Sequence, residues 1–381
     1  MNDTTAAEKT DAANENPGFR KVRALDGVRG IAILTVMIFH LPKPAELQWY
    51  VRGGFLGVDI FFVLSGFLIT SILLDEYGKN GTLDLKNFFI RRFFRLAPAF
   101  WLYLIVLFLF GPWLMTETRV AETFREHNFV FAFFYLINWS IAWQGKGAGD
   151  LNHMWSLAIE EQFYILWAVG LYLMFRWQVR RERIALFTVG VVLLVAIWRA
   201  ARAAYGVDIN ILYYSTDTRI DSLLVGCCAS MLYIWGLVPA AVGRGKAIII
   251  YELIALATGT AIIMSFSHQD TSFYYGFGSL FAVAVATVIL FLVMHPRTWL
   301  HRILESRLLT ALGLISYGVY LWHFVAFEYG RMVFDSRGAR YLSGIALALA
   351  VPILSFYLVE KPFLKLKDRF AASRRDGSTD K

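Results

Sequence analysis

The sequence predicts an all-α, polytopic transmembrane helical bundle of about ten spans, and three observations carry that prediction. Hydrophobic residues make up 57% of the chain and charged residues 17%, against about 25% charge in an ordinary soluble globule. Mean hydropathy is +0.52. Apolar runs suited to a hydrocarbon core of about 30 Å recur along the length, and Lys and Arg gather in the short segments between them. The formal net charge of +8 is therefore read as the basic bias of cytoplasmic loops, not as a nucleic-acid surface. Cys227 and Cys228 are adjacent inside an apolar run, so they offer neither a disulfide framework nor metal-ligand spacing.

Residues 1–18 are polar, small and acidic without the apolar core of a signal peptide, and read as a disordered cytoplasmic tail. Phe19-Arg20-Lys21-Val22-Arg23 then opens a membrane domain expected over 19–362, followed by a basic cytoplasmic tail at 363–381. The first apolar run, 28–41, is about 21 Å long as a helix and short of the core thickness. Arg29 and His40 bound it, eleven positions and about 16 Å apart on one helix face. Ionisable side chains at membrane depth usually face a protein interior or a wet cavity, so this face is a candidate channel wall.

Further spans are expected near 58–74, 96–114, 155–175, 184–198, 220–237, 247–267, 273–294, 309–330 and 341–360. The aromatic stretch 127–143 decides the orientation of everything after it. If it does not cross, ten spans place 25 Lys and Arg inside and 11 outside, Arg29 within a span being left uncounted; if it crosses, the division becomes 16 and 20. The positive-inside rule selects ten spans, both termini in the cytoplasm, and 127–143 as a re-entrant or interfacial segment.

Candidate functional groups fall on these spans. Asp59 needs a partner at the outer end of an apolar helix, and an N-cap role would satisfy it equally well. Arg91-Arg92-Phe93-Phe94-Arg95 precedes Leu96-Ala97-Pro98, read as the opening of a span. Arg92 and Arg95 share a helix face as forked donors suited to phosphate, or serve as topology anchors. In Asn152-His153-Met154-Trp155-Ser156-Leu157-Ala158-Ile159-Glu160-Glu161-Gln162-Phe163-Tyr164, residues Glu160, Tyr164 and Trp167 make one face and Glu161 points elsewhere. Arg219 is flanked by Asp217 and Asp221, which can simply neutralise it. Ser316, Tyr320 and His323 form a hydroxyl, phenol and imidazole stripe on a later span.

Taken jointly, in order and spacing, these motifs resemble the membrane acyltransferase-3 family. They are Leu25-Asp26-Gly27-Val28-Arg29-Gly30 with His40, Phe61-Phe62-Val63-Leu64-Ser65-Gly66-Phe67, Arg92-Phe93-Phe94-Arg95, Trp155-Ser156-Leu157 with Glu160 and Gln162, Arg219 with Asp221, and Ser316-Tyr317 with Tyr320 and His323. The resemblance runs from about residue 22 to 362. It departs in Leu166-Trp167-Ala168, where many relatives have proline after the tryptophan. It implies an integral-membrane O-acyltransferase of the cell membrane that moves an acyl group, commonly acetyl, from acyl-coenzyme A to a glycan, lipid-linked sugar or glycosylated small molecule. The chain ends soon after its last span, which is read as the lack of a fused extracytoplasmic esterase-like domain.

The roles that follow from the resemblance are specific. Arg29, Arg92 and Arg95 would hold coenzyme A phosphates, and His40 would act as general base or accept the acyl group itself. Glu160 would orient or charge His40. Asp59, Arg219, Tyr320 and His323 are candidates for lining the acceptor side. Acyl-coenzyme A is expected as donor substrate, with no permanently bound cofactor, no metal and no nucleic acid. A polytopic glycan or lipid transporter is the competing reading, though no paired repeat halves are visible. A non-catalytic membrane partner of a glycan-assembly complex is the other.

Overall fold

The computed structural model describes residues 22–41, 49–125, 127–238, 246–295 and 298–365. The tail expected at 1–18 and the final residues from 366 lie outside them. Among the described residues the secondary structure is helical, without strands. The helices in chain order are α1 Arg23–His40, α2 Gly57–Asn80, α3 Leu85–Leu114, α4 Glu117–Thr123, α5 Asn128–Phe133, α6 Ile137–Gln144, α7 Trp155–Arg176 and α8 Arg181–Ala204. They continue as α9 Ile209–Tyr214, α10 Ile220–Ile234, α11 Lys246–Ser265, α12 Phe277–Met294, α13 Trp299–Leu304, α14 Arg307–Val333 and α15 Arg337–Ser355. Seven apolar helical segments are long enough to cross a membrane: Arg52–Asn80, Leu85–Leu114, Gly149–Arg176, Arg181–Ala204, Phe277–Met294, Arg307–Val333 and Arg337–Lys365. With the shorter apolar helices Ile220–Ile234 and Ile249–Ser265, and with the charged α1, they correspond to the ten expected spans.

The 127–143 stretch breaks into two short helices. Tyr135, at φ +55°, sits in the turn between α5 and α6, and six or eight residues cannot reach across a hydrocarbon core. The segment is anchored sideways through Gln162 of α7, which donates to the Tyr135 carbonyl at 2.7 Å and the Asn138 side chain at 2.9 Å. Its outward aromatics, Phe134 and Trp143, stay exposed.

One boundary differs from the sequence reading. Leu96-Ala97-Pro98 does not open a span, because α3 begins at Leu85, where Asp84 caps it by accepting from the Asn87 amide at 2.9 Å. Pro98 therefore lies inside the helix, and Arg91, Arg92 and Arg95 ride on it. The C-terminal span also continues past Glu360 through a π turn at Phe356–Glu360 and stays helical to 365.

Glycines decide the central crossings. A Cβ on Gly30 would overlap the Leu309 carbonyl, and one on Gly313 would overlap that of Asp26, so α1 meets α14 backbone to backbone. Gly66 of α2 and Gly226 of α10 oppose Leu223 and Val63 in the same way. These contacts bring α1, α2, α10 and α14 into one core, and α7 closes against α2.

Candidate active site

The site grows from the end of α1. His40 Nδ1 lies 3.2 Å from Nε2 of His323 on α14, a contact that the close α1–α14 crossing allows. Phe324 packs against both rings, at 4.6 Å and 5.0 Å between centroids. On its other side Phe324 stacks on His153 at 4.6 Å, so three imidazoles surround one phenyl ring. His153 comes from the 3-10 turn Gly149–Met154 that precedes α7. It is buried, its Nε2 bonds the Leu321 carbonyl at 3.1 Å, and its Nδ1 has no partner among the described residues.

From this centre a line of polar side chains descends along α7. Tyr320 donates to the His153 carbonyl at 2.8 Å and so receives the hydrogen of Ser156, 2.6 Å away. One turn further, Glu160 accepts from Ser65 of α2 at 2.8 Å. Glu161 pairs with Arg92 of α3 at 3.2 Å, and the same guanidinium lies over the Tyr164 ring, 3.1 Å from its centroid. Glu161 thus joins the face from which helical spacing had excluded it, because α3 approaches α7 from that side. Arg29 is held by Asp26 at 2.9 Å on its own helix. Arg95 is exposed, close enough to Arg29 and Arg92 to feel their repulsion, and without a hydrogen bond or ion pair among the described residues.

Not every candidate belongs to this line. His40 contacts His323, whereas Glu160 is engaged by Ser65 and lies within the electrostatic reach of Arg92. Asp59 and Arg219 pair with each other at 2.9 Å, with Ser222 donating to Asp59 at 2.9 Å, and their side chains are 1% and 2% exposed. Arg219 is not neutralised by its flanking acids: Asp221 takes Arg199 at 2.8 Å, and Asp217 takes Arg202 at 2.9 Å. Tertiary packing, not sequence adjacency, chose these partners.

Several residues of the site were not singled out by the sequence reading: His153, Ser156, Ser65 and Arg119. The first two stand in the quoted 152–164 stretch, where a histidine and a serine beside a membrane helix were the available signal. Arg119 of α4 had none. Its guanidinium lies 5.5 Å from the Phe324 ring and near Asp150 and Glu328, at 3.5 Å and 3.9 Å. It also lines a 170 Å³ cavity with Glu122, Asn152, Asn210 and Tyr214 at the far end of the line. Burial pushes the Tyr214 phenol up, opposed by the hydrogen bond from Asn152. No group of three or more His, Cys, Asp or Glu among the described residues could hold a metal ion.

The arrangement joins a basic cluster at one end of the bundle to an imidazole pair near the other, through hydroxyls and carboxylates. Such a line suits a long anionic substrate whose reactive end reaches a base. Comparison with known proteins identifies the family. The acyltransferase domain model of the acyltransferase-3 family matches residues 22–359. Peptidoglycan O-acetyltransferase OatA of Listeria monocytogenes is 32% identical over 357 residues, 90% of this chain and 56% of that protein. The Bacillus subtilis protein named "Putative peptidoglycan O-acetyltransferase YrhL" is 34% identical over 365 residues, 90% of this chain and 55% of its own length. The chain spans a little over half the length of these relatives. No solved structure matches. With the family model covering nearly all of the helical core and both ends of the polar line, this chain belongs to the acyltransferase-3 family of acyltransferase domains.

Proposed function

We propose that this chain is a cell-membrane O-acyltransferase that moves an acyl group, acetyl in the first instance, from cytoplasmic acyl-coenzyme A to a hydroxyl of a glycan, lipid-linked sugar or glycosylated small molecule. The observation that carries the reading is the succession of polar side chains between Arg95, Arg92 and Arg29 and the His40–His323 pair. Relatives named for O-acetyl transfer to peptidoglycan support the reaction class and a glycan acceptor. The basic end of the line coincides with the side that the Lys and Arg distribution assigns to the cytoplasm, and both termini belong to that side.

In this reading Arg95 and its neighbours meet the coenzyme phosphates, and the pantetheine arm follows the line for about 16 Å toward His40. His40 accepts the proton of the acceptor hydroxyl as its oxygen attacks the thioester carbon, or takes the acyl group first and passes it on. Glu160 and Tyr320 line the path, and Asp59 with Arg219 holds the surrounding helices. Acyl-coenzyme A is a substrate here, and no permanently bound cofactor or metal is required by the scheme.

Purified protein in lipid nanodiscs, supplied with radiolabelled acetyl-coenzyme A and membrane glycan, tests the proposal. The native protein is expected to label the glycan. His40→Ala is expected to insert normally and to abolish labelling. Normal labelling by that variant, or none by the native protein, would overturn the assignment.

A further inference from the structure

We infer that Glu360 is a donor-binding residue beside Arg95: the Arg95 guanidinium takes a phosphate of the coenzyme, and the Glu360 carboxylate accepts a hydrogen bond from an uncharged N–H of the same molecule. The assignment rests on the proposed acyl-coenzyme A donor, and it adds the group that reads the coenzyme as more than an anion.

The local backbone turns Glu360 inward. Along α15 the buried positions are Gly344, Ala348, Pro352 and Ser355, at helical steps of four, four and three. The next α step would bring Val359 to that face. The π turn Phe356–Glu360 adds one residue, so Glu360 takes the inner place at 7% exposure while Tyr357, Leu358 and Lys361 stay exposed. Gly318 of α14 makes room for it, since a Cβ there would lie 3.3 Å from Glu360 Oε1. On another side α3 is held close, through Phe94 stacked on Phe363 at 6.3 Å between centroids and the Tyr317 hydroxyl donating to the Leu96 carbonyl at 3.1 Å.

So placed, the carboxylate makes no hydrogen bond or ion pair among the described residues, and its Oε1 is buried without a donor. Lys361, its neighbour in sequence, turns away over the Tyr357 ring, 5.0 Å from the centroid. The charge that reaches Glu360 is that of Arg95, which also makes no hydrogen bond or ion pair among the described residues. Two opposite charges thus stand within each other's field at the basic end of the bundle and do not pair. Buried ionic groups are costly without a partner, so a ligand that satisfies both gains from both.

An anion on Arg95 alone would set a second negative charge against Glu360. A ligand that suits the pair carries an anionic group and, beside it, a neutral hydrogen-bond donor, because an ionised carboxylate only accepts. Acyl-coenzyme A has this pattern: phosphates, two amide N–H groups along the pantetheine arm, and the amino group of adenine. With Oε1 packed against Gly318, Oε2 is the oxygen left to meet that N–H.

Calorimetric titration of coenzyme A, which carries no acyl group and cannot turn over, into the full-length protein in nanodiscs tests this. Glu360→Ala is expected to stay monodisperse, since no partner is lost, and to bind coenzyme A about 10-fold more weakly. Glu360→Gln keeps an acceptor oxygen in the same place and is expected to recover most of that loss. Adenosine 3′,5′-bisphosphate, which keeps the adenine and lacks the pantetheine arm, locates the N–H. Weaker binding of this ligand too by Glu360→Ala places the N–H on adenine, and weaker binding of coenzyme A alone places it on the arm. Equal or tighter binding of coenzyme A by Glu360→Ala would overturn the inference, because a carboxylate that only adds negative charge opposes an anionic ligand and its loss helps. A native protein that binds neither coenzyme A nor acetyl-coenzyme A would sink the proposed donor, and the role of Glu360 with it.

Discussion

Among the three arginines at the basic end, Asp26 holds Arg29 and Glu161 holds Arg92, whereas Arg95 is exposed and makes no hydrogen bond or ion pair among the described residues. Its charge is the least compensated of the set, and Arg29 and Arg92 raise the local potential further. An anionic donor would gain most there. Replacing Arg95 by Ala is expected to raise KM for acetyl-coenzyme A by about 10-fold or more while kcat changes little, since a charge-assisted hydrogen bond contributes about 1.5–3 kcal/mol. Steady-state kinetics over a range of donor concentrations checks this. An unchanged KM would remove Arg95 from the donor site. Asp59, Arg219, Arg199 and Asp221 illustrate the other use of charge in this fold, as buried pairs that connect α2, α8 and α10. Such pairs are costly to break from one side, so loss of activity in a single variant there would report on folding before it reported on substrate.

At the scale of elements, the crossings that align the polar line depend on bare backbone. Gly226 of α10 sits over the Val63 carbonyl, and nothing flexible there can move aside. Gly226→Leu is therefore expected to cost more than the about 1–3 kcal/mol typical of an overpacked site, read as a lower thermal midpoint or loss of monodisperse protein. Gly190→Leu on α8 is the matched control, because a Cβ there meets nothing within 4 Å. Equal behaviour of the two variants would show that the crossing is looser than its geometry implies. The same principle explains α1. Its Asp26-Gly27-Val28-Arg29-Gly30 motif brings the helix against α14, and that contact carries His40 to His323.

At the scale of the whole molecule, orientation and catalysis share one axis. Under the proposed orientation, with the basic loops in the cytoplasm, the basic end of the line lies inside and the His40–His323 pair toward the outer half. In a background with Cys227 and Cys228 replaced by Ser, Arg181→Cys is expected to resist a membrane-impermeant thiol reagent added to intact cells. Lys146→Cys, in the segment after α6, is expected to react. The reverse pattern would invert the topology and with it the side from which the donor arrives.

Length, hydropathy and charge placement made the all-α bundle legible in the sequence, because a lipid environment forces long apolar helices and sorts basic residues to one side. Arg29 and His40 were legible as one helix face because helical geometry is local. The Lys and Arg count reads the aromatic segment 127–143 as one that does not cross, and its break at Tyr135 into two short helices fits that reading. Partnerships were not legible. Glu160 went to Ser65, Glu161 to Arg92, Arg219 to Asp59 and His40 to His323, each across elements far apart in sequence. Periodicity states which way a side chain points on its own helix, while the partner depends on which helices touch and at what height. That was decided by glycine-mediated crossings in the tertiary structure, where only close backbone approach brings short polar side chains within hydrogen-bond reach.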